Sequence, residues 1–110
     1  MNRIPDWLYL RRMPDWLYLR VSQALIGEIY SSIRAIVVGL DEERVVTLRY
    51  YLDREVGGAD YESMDKVISL ILADTLSNGD IKCVKGEMIF STKKKNDLDW
   101  LGGFVYSRME

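Results

Sequence analysis

The sequence contains no histidine and only one cysteine among its 110 residues. Without histidine, the chain cannot form a Ser-His or Cys-His nucleophile pair, and it lacks the ligand spacing of the usual zinc sites. A single cysteine excludes an internal disulfide and suits a reducing compartment. Cys83 lies in an apolar-alternating run, which predicts a buried and inert thiol. An enzyme built from this chain would depend on carboxylates and tyrosines alone.

Long apolar runs are also missing. No apolar segment approaches the roughly 18 residues that a membrane-spanning helix needs, and no basic-then-apolar signal segment is present. We therefore expect a cytoplasmic protein without a membrane partner. The glycine pairs Gly57-Gly58 and Gly102-Gly103 lack the flanking pattern of a phosphate-binding loop, so no cofactor is predicted. The net charge of −2 argues against nucleic acid and favours a basic partner.

The amino terminus holds a near-perfect tandem repeat of nine residues, in which 3–11 and 12–20 differ only at Ile4 and Met13. Two copies of this length match no stacked-repeat architecture. The first copy is either a recent duplication or added extension, or a second apolar anchor that docks on a partner. The second copy runs on into a helical pattern. We therefore predict a duplicated extension over 1–13 and a single domain over 14–110, since the length suits one core.

Periodicity and turn residues predict the order of elements in this domain. A first helix is expected from about Pro14 to Tyr30. Two β-rich runs, 33–40 and 44–52, flank a short polar turn and are typical of an antiparallel hairpin. Asp60 is a suitable N-cap for a second helix, which Asn78-Gly79 would end.

The rest of the chain reads as two further strands. A third strand is predicted over 81–92, with a bulge at Gly86, and a fourth over 103–107. The order α-β-β-α-β-β then predicts an α+β fold, an antiparallel sheet of about four strands with two main helices. Trp7, Trp16 and Trp100 are interpreted as core or staple residues rather than as a binding platform.

Acidic residues are concentrated between Asp41 and Asp65. This segment holds eight acids and three bases, a local charge of 3 − 8 = −5, whereas the remainder of the chain carries +3. Three interpretations are open for the cluster: a catalytic carboxylate pair, a plainly solvated surface, or a docking surface for a cationic partner. It lacks the spacing of a known calcium loop, so no metal site is predicted.

Several segments resemble those of small bacterial immunity proteins of contact-dependent growth inhibition systems, the CdiI-like and colicin-immunity-like proteins. The resemblance covers about residues 14–108, and the duplicated amino terminus departs from the family's pattern. The segments that carry the resemblance are Leu25-Ile-Gly-Glu-Ile-Tyr30, Ile33-Arg-Ala-Ile36, Thr47-Leu-Arg-Tyr-Tyr-Leu-Asp-Arg-Glu55, Asp60-Tyr-Glu-Ser63, Phe90-Ser-Thr92 and Leu101-Gly-Gly-Phe-Val-Tyr-Ser-Arg108.

The resemblance implies a non-catalytic cytoplasmic inhibitor that binds the C-terminal toxin domain of a large secreted effector, one to one. Many such toxins are nucleases, often cleaving tRNA, and nuclease surfaces are basic because their substrate is polyanionic. An acidic patch with aromatic anchors suits such a partner. The predicted partner-binding residues are Tyr51, Asp53, Glu55, Asp60, Tyr61, Glu62 and Asp65. The alternative is a structural or adaptor module that self-associates.

Overall fold

A computed structural model describes residues 13–75 and 81–110. The first repeat copy and the Asn78-Gly79 helix stop lie outside the described residues. The described elements, in chain order, are helix α1 (Asp15–Ala24), strands β1 (Ile33–Leu40) and β2 (Val45–Leu52), helix α2 (Gly58–Thr75), strand β3 (Cys83–Phe90), a 3-10 turn (Lys95–Asp97) and strand β4 (Gly103–Ser107). The α+β class, with two helices and four strands in this part of the chain, is confirmed, and the short 3-10 turn is an addition to the predicted order.

The four strands form one sheet in the order β3-β2-β1-β4. β1 pairs antiparallel with both β2 and β4, and its pairing with β2 is the predicted hairpin. The prediction of a fully antiparallel sheet is wrong, because β3 pairs parallel with β2. α2 has 18 residues and spans about 27 Å at 1.5 Å per residue. A helix of that length returns the chain to the end of the sheet where β2 began, so the next strand runs the same way.

Both helices differ from their predicted bounds. α1 ends at Ala24 rather than near Tyr30, and Gly27 follows with φ +79°. Glycine adopts this left-handed conformation without strain, which lets the chain leave the helix. α2 begins at Gly58, two residues before the predicted N-cap Asp60. No helix in the described ranges is long and apolar enough to cross a membrane.

The main core lies between the two helices and one face of the sheet. Alternate residues of β2 point into it, as the sequence pattern predicts, while the intervening ones point to the opposite face. The apolar stripes of α1 and α2 cover the inward residues. The fully buried members are Leu17, Val21, Ile33, Ile36, Val38, Val46, Leu48, Tyr50, Leu52, Val67 and Ile71.

A smaller apolar cluster covers part of the other sheet face. Ala35, Val37 and Tyr51 pack there against Leu98, from the segment that follows the 3-10 turn. β1 is therefore buried on both faces, which explains why its sequence is apolar at nearly every position.

Three local predictions on this part of the chain are wrong. Cys83 is exposed rather than buried, because it starts an edge strand. β3 has no bulge at Gly86, since its residues pair one to one with those of β2 along the whole strand. Gly86 instead permits a close approach of α2, because an added Cβ would lie 2.7 Å from Met64 Sδ. Trp100 is 59% exposed and is not a core residue.

Candidate partner-binding surface

The seven residues predicted to bind a partner do not form one exposed surface. Tyr51 and Asp60 are buried, with only 4% and 2% of their surface exposed, and Asp53 is held in an ion pair. Five of the seven are exposed; Asp53 is ion-paired, and the other four are Glu55, Tyr61, Glu62 and Asp65. The fold therefore separates residues that stabilise the structure from residues that a partner can reach.

Asp60, in the first turn of α2, accepts four hydrogen bonds. Arg54 donates two of them, from Nη1 to Oδ2 at 2.7 Å and from Nη2 to Oδ1 at 2.9 Å. The Tyr30 hydroxyl donates to Oδ1 at 2.5 Å, and the Gly57 N–H donates to Oδ2 at 2.8 Å. Gly57 occupies the N-cap position, and Asp60 reaches back to it from the third helical residue, as in one half of a capping box. Asp60 therefore joins the start of α2 to the preceding loop and to Tyr30.

These contacts fix the ionisation of the cluster. The hydrogen bonds from Arg54, helped by those from Tyr30 and Gly57, hold the pKa of Asp60 well below its usual range despite its burial. Burial, followed by the hydrogen bond to Asp60, raises the pKa of Tyr30. Asp60 is thus a permanently ionised structural carboxylate at neutral pH. Its low basicity makes it a poor general base.

Asp53, just after β2, belongs to an ion-pair cluster that holds the end of the chain. Arg108 Nη1 lies 2.7 Å from Asp53 Oδ2, and Arg108 Nη2 lies 3.0 Å from Glu110 Oε2. The buried Arg34 donates two further hydrogen bonds to the Glu110 carboxylate, both at 2.8 Å. The bonds from Arg34 are the main cause that lowers the pKa of Glu110 to about 2. Because Arg108 balances Asp53, this acid adds little net charge to the surface.

Tyr51 lies on the sheet face that turns away from both helices. Its hydroxyl donates to the Asp99 carbonyl at 2.6 Å and accepts a hydrogen bond from Arg49 Nη1 at 3.2 Å. Arg49 also forms ion pairs with Glu87 at 3.2 Å and with the Asp99 side chain at 3.3 Å. Tyr51 therefore attaches the 95–101 segment to the sheet, and its side chain offers little surface to a partner.

Four of the exposed residues form no ion pair and lie on α2 or just before it, and we call them the α2 surface: Glu55, Tyr61, Glu62 and Asp65. Tyr61 is 52% exposed. Asp65 lies four residues further on, so the two side chains are neighbours on one flank of the helix. Glu55, Glu62 and Asp65 form no ion pair with any residue in the described ranges. The exposed Tyr61 side chain thus has an unpaired carboxylate beside it, and two more lie in the same segment, an arrangement that suits a cationic protein surface.

Metal ligation finds no support within residues 13–75 and 81–110. No group of three or more His, Cys, Asp or Glu side chains is placed there to hold an ion. In the 53–65 segment, Asp60 pairs with Arg54 and Asp53 pairs with Arg108, while the other acids are exposed to solvent. These carboxylates therefore do not converge on one point.

Comparison with known proteins identifies the family. A family model described as MafI2 immunity protein matches residues 14–110, nearly the whole chain. The chain belongs to the MafI2 immunity protein family. None of the curated proteins compared with it gives a match. The predicted relationship to toxin-immunity proteins is thereby confirmed, whereas the contact-dependent growth inhibition type specifically is not.

Membership of the MafI2 immunity protein family directs attention to surfaces that bind protein. Immunity protein families are generally non-catalytic and are associated with the neutralisation of a toxin. Sequence reasoning missed two features that matter for such a role. One is the internal use of Asp60, which the Gly57-to-Asp60 capping spacing could have indicated. The other is the position of β3 at an edge of the sheet, which depends on long-range topology.

Proposed function

We propose that this protein neutralises a cognate toxin domain by binding it directly, one to one, through the α2 surface. The observation that carries the proposal is the exposed Tyr61 with its neighbour Asp65, together with Glu55 and Glu62, which also form no ion pair in the described ranges. Complementary charge speeds the encounter of two proteins, and a desolvated aromatic side chain near the centre of an interface supplies much of the affinity.

The toxin is a basic domain, and a tRNA-cleaving nuclease at the C-terminus of a contact-dependent growth inhibition effector fits best. An enzyme that acts on RNA presents positive charge to its substrate. Binding of the α2 surface over that charge excludes the RNA. Inhibition then needs no chemistry from the immunity protein, and it takes place in the cytoplasm of the producing cell, where the toxin meets tRNA.

Co-expression with the toxin domain encoded beside the gene tests the proposal. We expect cells to grow when both proteins are made, to stop growing when the toxin is made alone, and to yield a stable one-to-one complex on purification. Failure of both rescue and co-purification would refute the proposal. A homodimer that ignores the toxin would favour the self-associating module instead.

Charge reversal locates the surface. The double variant Glu62→Lys/Asp65→Lys should lose rescue, because it places positive charge against a basic toxin. The matched control is Glu42→Lys/Glu43→Lys, which changes the net charge equally. Both control residues are exposed in the β1–β2 turn, at the end of the sheet away from the start of α2. Equal loss of rescue in both variants would show that only the net charge matters.

A further inference from the structure

The edge strand β3 offers a second means of recognition beside the α2 surface. β3 has eight residues and pairs with β2 along one side only. No segment within the described ranges hydrogen-bonds to its other side. The opposite edge of the sheet, β4, is shorter at five residues. An unpaired strand edge presents a row of N–H and C=O groups that another chain can pair with.

The register shows which groups of β3 face outward. In a parallel ladder, alternate residues direct both N–H and C=O to the neighbouring strand, and the residues between them point away. Phe90 pairs with Leu52, and the next residue, Ser91, donates its N–H to the Leu52 carbonyl at 3.1 Å. The odd-numbered residues of β3 therefore bond to β2. The outward N–H groups belong to Val84, Gly86, Met88 and Phe90.

The α2 surface lies alongside this free edge. An added Cβ at Gly86 would lie 2.9 Å from Ile68 Cδ1, so Ile68 marks the flank of α2 that packs on β3. Tyr61, Asp65 and Leu72 are at spacings of seven, three and four residues from Ile68, which places them on the same flank. At the far end of β3, Phe90 is 45% exposed. On the face that carries α2, aromatic and acidic side chains thus accompany a strand edge that is about 26 Å long at 3.3 Å per residue, whereas the exposed Lys85 points to the opposite face.

We propose that an extended, Lys- or Arg-bearing segment of the toxin adds to β3 as a fifth strand and contacts Tyr61 and Asp65 with its side chains. This inference rests on the proposed function and specifies how the partner docks. Backbone pairing supplies part of the affinity, and the carboxylates select a cationic segment. A second copy of the chain fits less well, because a two-fold pairing through β3 would bring the two acidic flanks together.

Amide hydrogen exchange by NMR, on the protein alone and with a catalytically inactive toxin domain, tests this directly. In the free protein, the outward amides of Val84, Gly86 and Met88 should exchange fast, while those of Lys85 and Glu87 are protected. In the complex, we expect the outward amides to slow at least tenfold, and β4 to show no such change. A complex that forms without this every-second-residue protection would overturn strand addition while leaving the immunity role intact.

A proline variant gives an independent measurement. Val84→Pro removes one outward N–H. The matched control Val84→Ala keeps this N–H but loses similar side-chain packing. Thermal melting checks that both variants fold. We expect toxin affinity to fall at least tenfold for Val84→Pro and less than threefold for Val84→Ala. Equal affinities would overturn the inference. The inference would also be overturned if the protein alone had twice its monomer mass in solution and its outward β3 amides exchanged slowly. In that case a second copy of the chain would be the partner of β3. Absence of toxin binding by the unmodified chain would refute the proposed function itself.

Discussion

Replacing Asp60 with asparagine removes a buried charge and leaves its cationic partner in place. The carboxylate accepts bonds from Arg54, Tyr30 and Gly57 through both oxygens. An amide keeps one acceptor oxygen and places an NH₂ group against at least one of these donors. Removing one partner of a buried charge pair costs about 3–5 kcal/mol. That cost arises when the remaining charge stays buried. Because the Arg54 side chain is 47% exposed and can be hydrated again, we expect a smaller loss of about 1–3 kcal/mol, set by the buried donors left without an acceptor.

Urea unfolding followed by tryptophan fluorescence measures this loss. The midpoint should fall for Asp60→Asn with an unchanged slope, since the surface exposed on unfolding is the same. The control Glu62→Gln removes the same charge from an exposed position on the same helix, and its stability should stay within about 0.5 kcal/mol of the original. Where it is folded, Asp60→Asn should still bind the toxin normally. A loss below about 1 kcal/mol, or an equal loss in the control, would refute the structural role of Asp60.

Three further predictions concern stability. The pKa of Asp60 is lower in the folded protein than in the unfolded chain, where it is about 3.9. Its ionised form therefore stabilises the fold fully above that unfolded pKa, and this stabilisation is lost as the pH falls toward the folded pKa. Between pH 5 and 3, the free energy of unfolding should therefore fall more steeply for the original protein than for Asp60→Asn, and parallel curves would contradict this. Gly86→Ala should cost at most about 1 kcal/mol in urea unfolding, because the atoms it would meet are the far ends of the flexible Met64 and Ile68 side chains, and a loss above about 2 kcal/mol would show that these cannot shift. Tyr50→Phe should leave the free energy of unfolding unchanged or raise it by up to about 1 kcal/mol, because the buried hydroxyl has no hydrogen-bond partner among the described residues. A clear loss of stability would contradict this and show that the hydroxyl has a partner.

Local patterns predicted the elements well but not how they assemble. The alternation in β2 and the apolar stripe of α2 follow from the backbone periods of strands and helices, so they can be read from neighbouring residues. The direction of β3 depends on which strand it joins after α2. That choice was missed, although a strand followed by a helix packing back on it favours a parallel partner.

The site was predicted in part for a similar reason. Charge counting located the acidic segment, but it could not distinguish acids with internal partners from free ones. Arg54 is close in sequence to Asp60, whereas Tyr30 and Arg108 come from distant segments that only the fold brings near. The burial of Tyr51 likewise depends on the 95–101 segment folding over the sheet. The partner role of the α2 surface stays a prediction.

Titration calorimetry with the purified inactive toxin domain tests direct neutralisation through the α2 surface most directly. We expect a one-to-one complex for the original protein and for Glu42→Lys/Glu43→Lys. Glu62→Lys/Asp65→Lys should bind at least tenfold more weakly, and raising the salt concentration should reduce this difference. Equal affinities for the two double variants would contradict the assignment of the surface, and the absence of any binding by the original protein would contradict the proposed function.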